Sequence, residues 1–290
     1  MKCTLCPRRC NIEREPLEGK GVCGVGTQAK IARAELHFDE EPVISGSGGS
    51  GAIFFSGCQL KCVFCQNYAV SHDAYGKIVT AERLKEIYKE LVSKGARNIN
   101  LVSASHYAPV VLDSLKEKPP VPVIWNSSGY EKVETIRMLK GAVDVYLPDF
   151  KYALSEPARK YSLAGDYFDY AKDAIAEMLD QTGPVVLDED GYIQKGVIIR
   201  HLILPGQTEN SRRVLKYIKD HFPGAWVSLM AQYVPMGNAQ NYPEINRRIT
   251  EAEYDEVVNY MLDLGLEDGF IQDLESADAK YTPEFDLTGV

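Results

Sequence analysis

Short apolar runs alternate along this chain with longer segments whose apolar positions recur every three or four residues. The runs are Ala52–Phe55, Asn98–Val102, Val121–Trp125, Val143–Leu147, Val197–Leu204 and Trp226–Met230, and each reads as a strand. Between them, Leu84, Ile87, Tyr88, Leu91 and Val92 form one helical face, with Thr80 placed to cap its start and Gly95 to end it. Val133, Ile136 and Leu139 predict a second helix, and Val214, Leu215 and Ile218 a third. A capping box, Thr250 with Glu253, opens a last helix carrying Val257, Val258, Met261 and Leu262, and Gly265 stops it. Regular strand–helix alternation means parallel strands joined by crossover helices. Six such units make an α/β fold, a partial TIM-like (β/α)6 barrel; an open doubly wound sheet is the competing architecture. In either, ligands belong at the C-terminal ends of the strands.

Three segments interrupt the pattern. Val185 to Ile193 reads as a β-hairpin with Asp190-Gly191 at its turn, and its consecutive acids Asp188, Glu189 and Asp190 read as a solvated turn. The stretch Ser45 to Gly51 is a flexible linker or a turn that lets backbones approach closely. Residues 1 to about 40 are rich in Cys and Arg with little periodicity. The expected division is therefore a Cys-rich metal-binding lobe over 1–45 and the partial barrel over 46–290.

Composition adds limits. At 290 residues, 45% hydrophobic and 25% charged, the chain can bury a large core without disulfide staples. A net charge of −9 argues against a broad nucleic-acid surface. The opening MKCTLCPRRC has no apolar h-region and no run is long enough to span a membrane, so a cytoplasmic protein without membrane or nucleic-acid partners is expected. All seven cysteines lie at or before Cys65. An odd count in a reducing compartment reads as metal or redox chemistry, not a disulfide framework.

The sharpest signal is SGCQLKCVFCQN, directly after the first strand, with Cys58, Cys62 and Cys65 spaced C-x3-C-x2-C. Three thiolates on one tight loop suit three corners of an iron–sulfur cubane and leave one metal open; a zinc knuckle that borrows a fourth ligand is the structural alternative. The loop, with Phe64 in its aromatic place and a barrel behind it, resembles the radical S-adenosylmethionine (SAM) superfamily. More narrowly, CTLCPRRC, GVCG, LPDFKY, IIRHLILPG and LMAQYVP resemble the PflX-type branch, which is similar to pyruvate formate-lyase activating enzymes. The resemblance covers essentially the whole chain. It implies a 4Fe–4S cluster whose open iron binds SAM, reductive cleavage to methionine and a 5′-deoxyadenosyl radical, and hydrogen abstraction from a substrate.

The same resemblance carries roles to matched positions. Where the family's second strand ends in a Gly-Gly-Glu-like segment, this chain has Ser103-Ala104-Ser105-His106. Ser103 and Ser105 stand in for the polar partners there, and His106 is either ligand-facing or the start of a helix. Asn126 opens the third strand's contact segment, whose Ser127 or Ser128 could also cap the next helix. Asp149 and Lys151 match an Asp-x-Lys motif and share a face by strand alternation. Lys151 is placed to bind the SAM carboxylate and Asp149 to hold Lys151, the alternative being a structural ion pair. Arg200 is placed at ribose or carboxylate and Leu202 at adenine, with His201 turned away. Gln232 and Tyr233 stand where activating enzymes often have His.

Cys3, Cys6, Cys10 and Cys23, spaced C-x2-C-x3-C-x12-C, are a second site for structural zinc or another iron–sulfur cluster. Arg8, Arg9 and Arg14 give this lobe positive charge, either as a solvated face or to dock an acidic partner. The implied partners are a reduced flavodoxin- or ferredoxin-type electron donor and a glycyl radical enzyme as protein substrate. The alternatives are a radical enzyme acting on another peptide or a small molecule, and a non-catalytic iron–sulfur or zinc protein for electron transfer or binding.

Overall fold

A computed structural model describes residues 2–276 and 283–290. Along the chain, β1 (Ala29–His37) and β2 (Ser50–Phe55) are followed by α1 (Tyr68–Ser71), β3 (Lys77–Val79), α2 (Ala81–Ser93), β4 (Ile99–Val102), α3 (Ala108–Ser114) and β5 (Val123–Ser127). Then come α4 (Val133–Met138), β6 (Val145–Pro148), α5 (Ser155–Ser162), α6 (Tyr167–Thr182), β7 (Val186–Leu187) and β8 (Ile193–Leu202). The last elements are α7 (Thr208–His221), β9 (Trp226–Met230), α8 (Glu251–Asp263) and β10 (Gly269–Ile271).

The strands form one sheet in the order β10-β9-β8-β6-β5-β4-β2-β1-β3, with β7 paired to β8 off that path. From β2 to β10 every neighbouring pair is parallel, whereas β1 runs antiparallel to both β2 and β3. The sheet does not close, so the architecture is a partial barrel with open edges at β10 and β3. All six strands read from the sequence are present as β2, β4, β5, β6, β8 and β9. No described helix is long and apolar enough to cross a membrane.

The helix signals act as written in the sequence. Thr80 accepts from the Arg83 amide at the start of α2, and Thr250 and Glu253 form a reciprocal capping box on α8. The Asp-Gly hairpin is β7–β8, with Gly191 at φ +85 and Asp188 accepting the amides of Asp190 and Tyr192. The glycine-rich stretch is a turn: Ser45 bonds the carbonyls of Phe38 and Glu40, and Gly49 bonds back to Ser45. β1 lies in a region that shows little periodicity, and α5 and α6 also lack a clear sequence signal.

Alternation divides the sheet between two cores. Val123, Trp125, Tyr146, Val197 and Ile199 pack with helix residues such as Leu84, Ile136 and Ile175. Ile124, Val145, Leu147 and Ile198 point the other way and are covered by Ile44 and Ile193. This second, smaller core floors the site. One step further along the same face of β5, β6 and β8 come Asn126, Asp149 and Arg200.

Candidate functional site

A cavity of about 240 Å3 lies at the C-terminal ends of the parallel strands. The loop after β2 contributes Cys58, Cys62 and Cys65 to its wall; the ends of β5, β6 and β8 contribute Asn126, Asp149, Lys151 and Arg200. The cysteine loop is folded by its own backbone: the Cys65 amide bonds the Cys62 carbonyl at 3.1 Å and the Leu60 amide reaches the Cys58 sulfur at 3.3 Å. Ser162, at the end of α5, donates to the Cys62 sulfur at 3.1 Å. Phe64 is 6% exposed and meets Tyr233 edge-on at 5.7 Å.

The opposite wall is charged. Lys151 Nζ stands 2.7 Å from Asp149 Oδ2, and Arg200 Nε 3.1 Å from Asp149 Oδ1. Arg200 also donates to Asn126 Oδ1 at 2.6 Å and pairs with Glu40 at 3.3 Å. Burial alone would push the Asp149 carboxyl up, but the charges of Lys151 and Arg200 outweigh it and hold the group below its ordinary value. Burial likewise opposes the Lys151 charge, and Asp149 and Cys62 overcome it to raise the ammonium. The pair is thus ionised and buried, with Lys151 near enough to Cys62 for each to influence the other's charge.

The thiols fit a soft metal group. None is in a disulfide. Burial raises Cys65 and lifts Cys62 to about 12, so these sulfurs keep their protons until a cation displaces them. Among the described residues no group of three His, Cys, Asp or Glu is set to hold a single metal ion as the side chains stand. A cubane spreads its cysteines over different irons, so its ligands need not converge on one point. The buried Ser128 hydroxyl lines the cavity without a hydrogen-bond partner, which suits a polar molecule in it.

Phe64, Ser103, Asn126, Asp149, Lys151, Arg200, Leu202 and Gln232 all line this cavity. Ser105 does not; it is buried beside Glu131. His106 stands on the far side, in a 3-10 turn before α3, with its Nε2 at 2.9 Å from the Ser56 carbonyl. His201 points away and joins the Phe150 carbonyl to Ser211. The expected cap by Ser127 or Ser128 is not formed: α4 starts at Val133, with Lys132 at its cap position and no side-chain cap, and the Ser127 hydroxyl is taken by the buried Glu131 at 2.8 Å.

Arg8 and Arg14 do not offer a docking surface, because their guanidinium groups donate inward to backbone carbonyls. Glu40, which the sequence reading passes over, reaches the site from the loop after β1 and accepts from Asn100 and Asn126 as well as pairing with Arg200. Its one sequence signal is an acidic pair, Glu40-Glu41, set just before the buried Ile44.

A family model described as the radical SAM superfamily matches residues 52–218. An uncharacterized protein of Methanocaldococcus jannaschii, MJ0674, is 34% identical over 277 residues, covering 90% of this chain and 76% of that protein. Among solved structures, HydG, a maturase of the FeFe-hydrogenase, superposes with a TM-score of 0.51 at 14% identity, covering 80% of this chain and 53% of HydG. The chain therefore spans about half the length of HydG. A variant of spore photoproduct lyase superposes with a TM-score of 0.52 at 9% identity, over 82% of this chain and 79% of its own. At such identities these two likenesses concern the fold.

Proposed function

The chain belongs to the radical SAM superfamily, and on that premise we propose that Cys58, Cys62 and Cys65 hold its 4Fe–4S cluster, that SAM lies between them and the Asp149–Lys151–Arg200 wall, and that the reaction generates a glycyl radical on a partner polypeptide. The observation that carries the first part is that three cysteines and a buried, ionised Asp–Lys–Arg group line one cavity. The second part is supported by the likeness of Asp149-Phe150-Lys151 and of the Arg200 strand to activating enzymes. MJ0674, being uncharacterized, adds nothing to the choice of substrate.

When bound, the cluster and SAM supply reductive cleavage of a sulfur–carbon bond and a 5′-deoxyadenosyl radical. The chain's own residues bind, orient and exclude water. Lys151 offers a cation to the SAM carboxylate, and Asp149 holds that cation on station. Arg200, fixed by Asp149, Asn126 and Glu40, presents its remaining edge to the ribose side. Leu202 and Phe64 line the cavity with apolar surface, which protects a radical from solvent. Electrons enter from a flavodoxin- or ferredoxin-type donor.

The test is anaerobic. Reconstituted protein is assayed for 5′-deoxyadenosine with dithionite and SAM, beside Cys58→Ala, Cys62→Ala and Cys65→Ala. The product should form with the wild type and vanish in all three variants. A fully loaded cluster with no product, with or without candidate substrates, would mark an electron carrier instead. A glycyl radical doublet on a co-incubated partner by electron paramagnetic resonance supports activation; turnover only with another peptide or a small molecule replaces that part of the reading.

A further inference from the structure

Cys3, Cys6, Cys10 and Cys23 line a second cavity, only about 10 Å3 in volume. Two short turns carry two of the sulfurs, those of Cys6 and Cys23. The Arg9 amide bonds the Cys6 carbonyl at 3.3 Å and the Gly24 amide the Gly21 carbonyl at 2.9 Å. In each turn the amide two residues after the cysteine, Arg8 for Cys6 and Val25 for Cys23, faces that cysteine's sulfur, and the Val22 amide reaches the Cys10 sulfur at 3.5 Å. Burial raises the Cys6 thiol to about 12 and the Cys23 thiol as well, and these amides work against that rise. Cys3 is tied back by its amide to the Ile12 carbonyl at 2.7 Å.

An independent observation comes from His106, which lines the same cavity and is 2% exposed. Its Nε2 faces the Ser56 carbonyl, which can only accept, so Nε2 bears the proton and Nδ1 is a bare lone pair. That nitrogen is buried with no partner. A space lined by four thiols and an unpartnered imidazole has the chemistry of a soft-metal pocket. Its volume, about 10 Å3, is close to the roughly 10–15 Å3 that one water molecule needs, the scale of a single ion.

This lobe also grips the cysteine loop of the main site. Arg8, between Cys6 and Cys10, donates to the carbonyls of Gln59 at 2.7 Å and Leu60 at 3.1 Å, both between Cys58 and Cys62. It also donates to the carbonyls of Ser162 at 2.7 Å and Leu163, and Ser162 is the residue whose hydroxyl reaches the Cys62 sulfur. Gly57, just before Cys58, packs so closely on the Cys23 carbonyl that a Cβ there would lie 2.6 Å from its oxygen.

We propose that Cys3, Cys6, Cys10 and Cys23 bind one zinc ion, and that Arg8, held between two of its ligands, makes that zinc site the anchor of the Cys58–Cys65 loop. The sulfurs do not form a closed site as they stand, so binding is expected to rotate them inward. The zinc part stands without the proposed function. The Arg8 part rests on the cluster reading, and separate counts of zinc and iron distinguish failure of one from failure of the other.

Zinc and iron are counted in the anaerobically purified full chain. The expected result is one zinc per chain that persists in Cys58→Ala, Cys62→Ala and Cys65→Ala and is lost in Cys6→Ser and Cys10→Ser. In case those last variants fail to fold, cobalt is added to zinc-depleted Cys58→Ala protein, where ligand-field bands of a tetrahedral cobalt thiolate should appear. No zinc in the wild type, iron in place of zinc, or cobalt without thiolate bands would overturn the site. Arg8→Ala should keep its zinc yet release cluster iron to a chelator about tenfold faster, the scale of one lost charged hydrogen bond, with Arg8→Lys restoring part of the loss. Iron release at the wild-type rate would overturn the anchoring role.

Discussion

Asp149 and Lys151 form one ion pair, yet removing each side should have opposite consequences. Asp149 uses both carboxylate oxygens, one on Lys151 at 2.7 Å and one on Arg200 at 3.1 Å. Replacing it by Asn leaves Lys151 buried without its carboxylate, while Arg200 keeps Glu40 and Asn126. Breaking a buried pair from that side costs about 3–5 kcal/mol. Lys151→Met is different, because Asp149 keeps Arg200 and the methionine stem still fills the space. Its stability cost should stay under about 2 kcal/mol, part of one charged hydrogen bond. If Lys151 holds the SAM carboxylate, however, that variant loses a charge-assisted contact of about 1.5–3 kcal/mol, or roughly 10- to 150-fold in affinity. The assay is urea unfolding of both variants, together with SAM binding to the anaerobic holoprotein by equilibrium dialysis. Wild-type SAM affinity in Lys151→Met, or a larger stability loss there than in Asp149→Asn, would refute the division of labour and leave the pair as structure alone.

Three further outcomes follow from other contacts. The Glu253 carboxyl accepts from Arg247, the Thr250 amide and the Gly206 amide, and Arg247 first among these holds it down to about 2. Its contribution is complete above the ordinary value of 4.5 and is lost as pH falls toward 2, so Glu253→Gln should cost about 1–2 kcal/mol at neutral pH and flatten the acid limb of an unfolding profile. Burial pushes His201 down to about 4, so only the unfolded chain takes up its proton between pH 6.5 and 4. Stability should fall through that window by up to roughly 3 kcal/mol, and a urea series against pH should show a shallower slope in His201→Gln. Gly57 combines φ +82 with the close Cys23 carbonyl, whereas Gly141 has φ +80 and open space around it. Gly57→Ala should therefore lose about 2 kcal/mol or more beyond the roughly 1 kcal/mol expected for Gly141→Ala, and equal unfolding midpoints would show that the lobe yields freely.

The strands that the sequence announces are those buried on both faces, where unbroken apolar runs are needed and turns must punctuate them. β1 is not legible because it lies next to the sheet's edge strand and alternates with Lys30, Arg33 and Glu35, which look like surface residues in a Cys-rich tract. α6 is long, but several of its buried positions are Ala171, Ala174 and Thr182, small side chains that carry little periodic signal. Cys58, Cys62 and Cys65 are legible because one loop supplies all three. Lys151 with Asp149, and Arg200, are legible because strand alternation fixes their face. Glu40 is not legible in this way, since it belongs to an irregular loop whose path is set by Ile44 packing on the floor of the site.

That floor explains how so much charge can be buried here. Along β5, β6 and β8 the inward positions read Ile124 then Asn126, Leu147 then Asp149, and Ile198 then Arg200. Each strand thus passes from an apolar rung to a polar one within a single repeat of its pleat. The apolar rung, sealed by Ile44, excludes water from beneath, which strengthens every ion pair above it. The same exclusion would make an unpaired charge prohibitive, and the four side chains Glu40, Asp149, Lys151 and Arg200 answer it by summing to zero. A neutral, pre-formed set of buried charges can receive a zwitterionic amino acid group by exchanging partners without carrying an uncompensated charge beforehand. On this reasoning a change in the apolar rung, such as Leu147→Ala, acts on the site through the water it admits, and its effect on SAM affinity should exceed what its distance from the ligand would suggest.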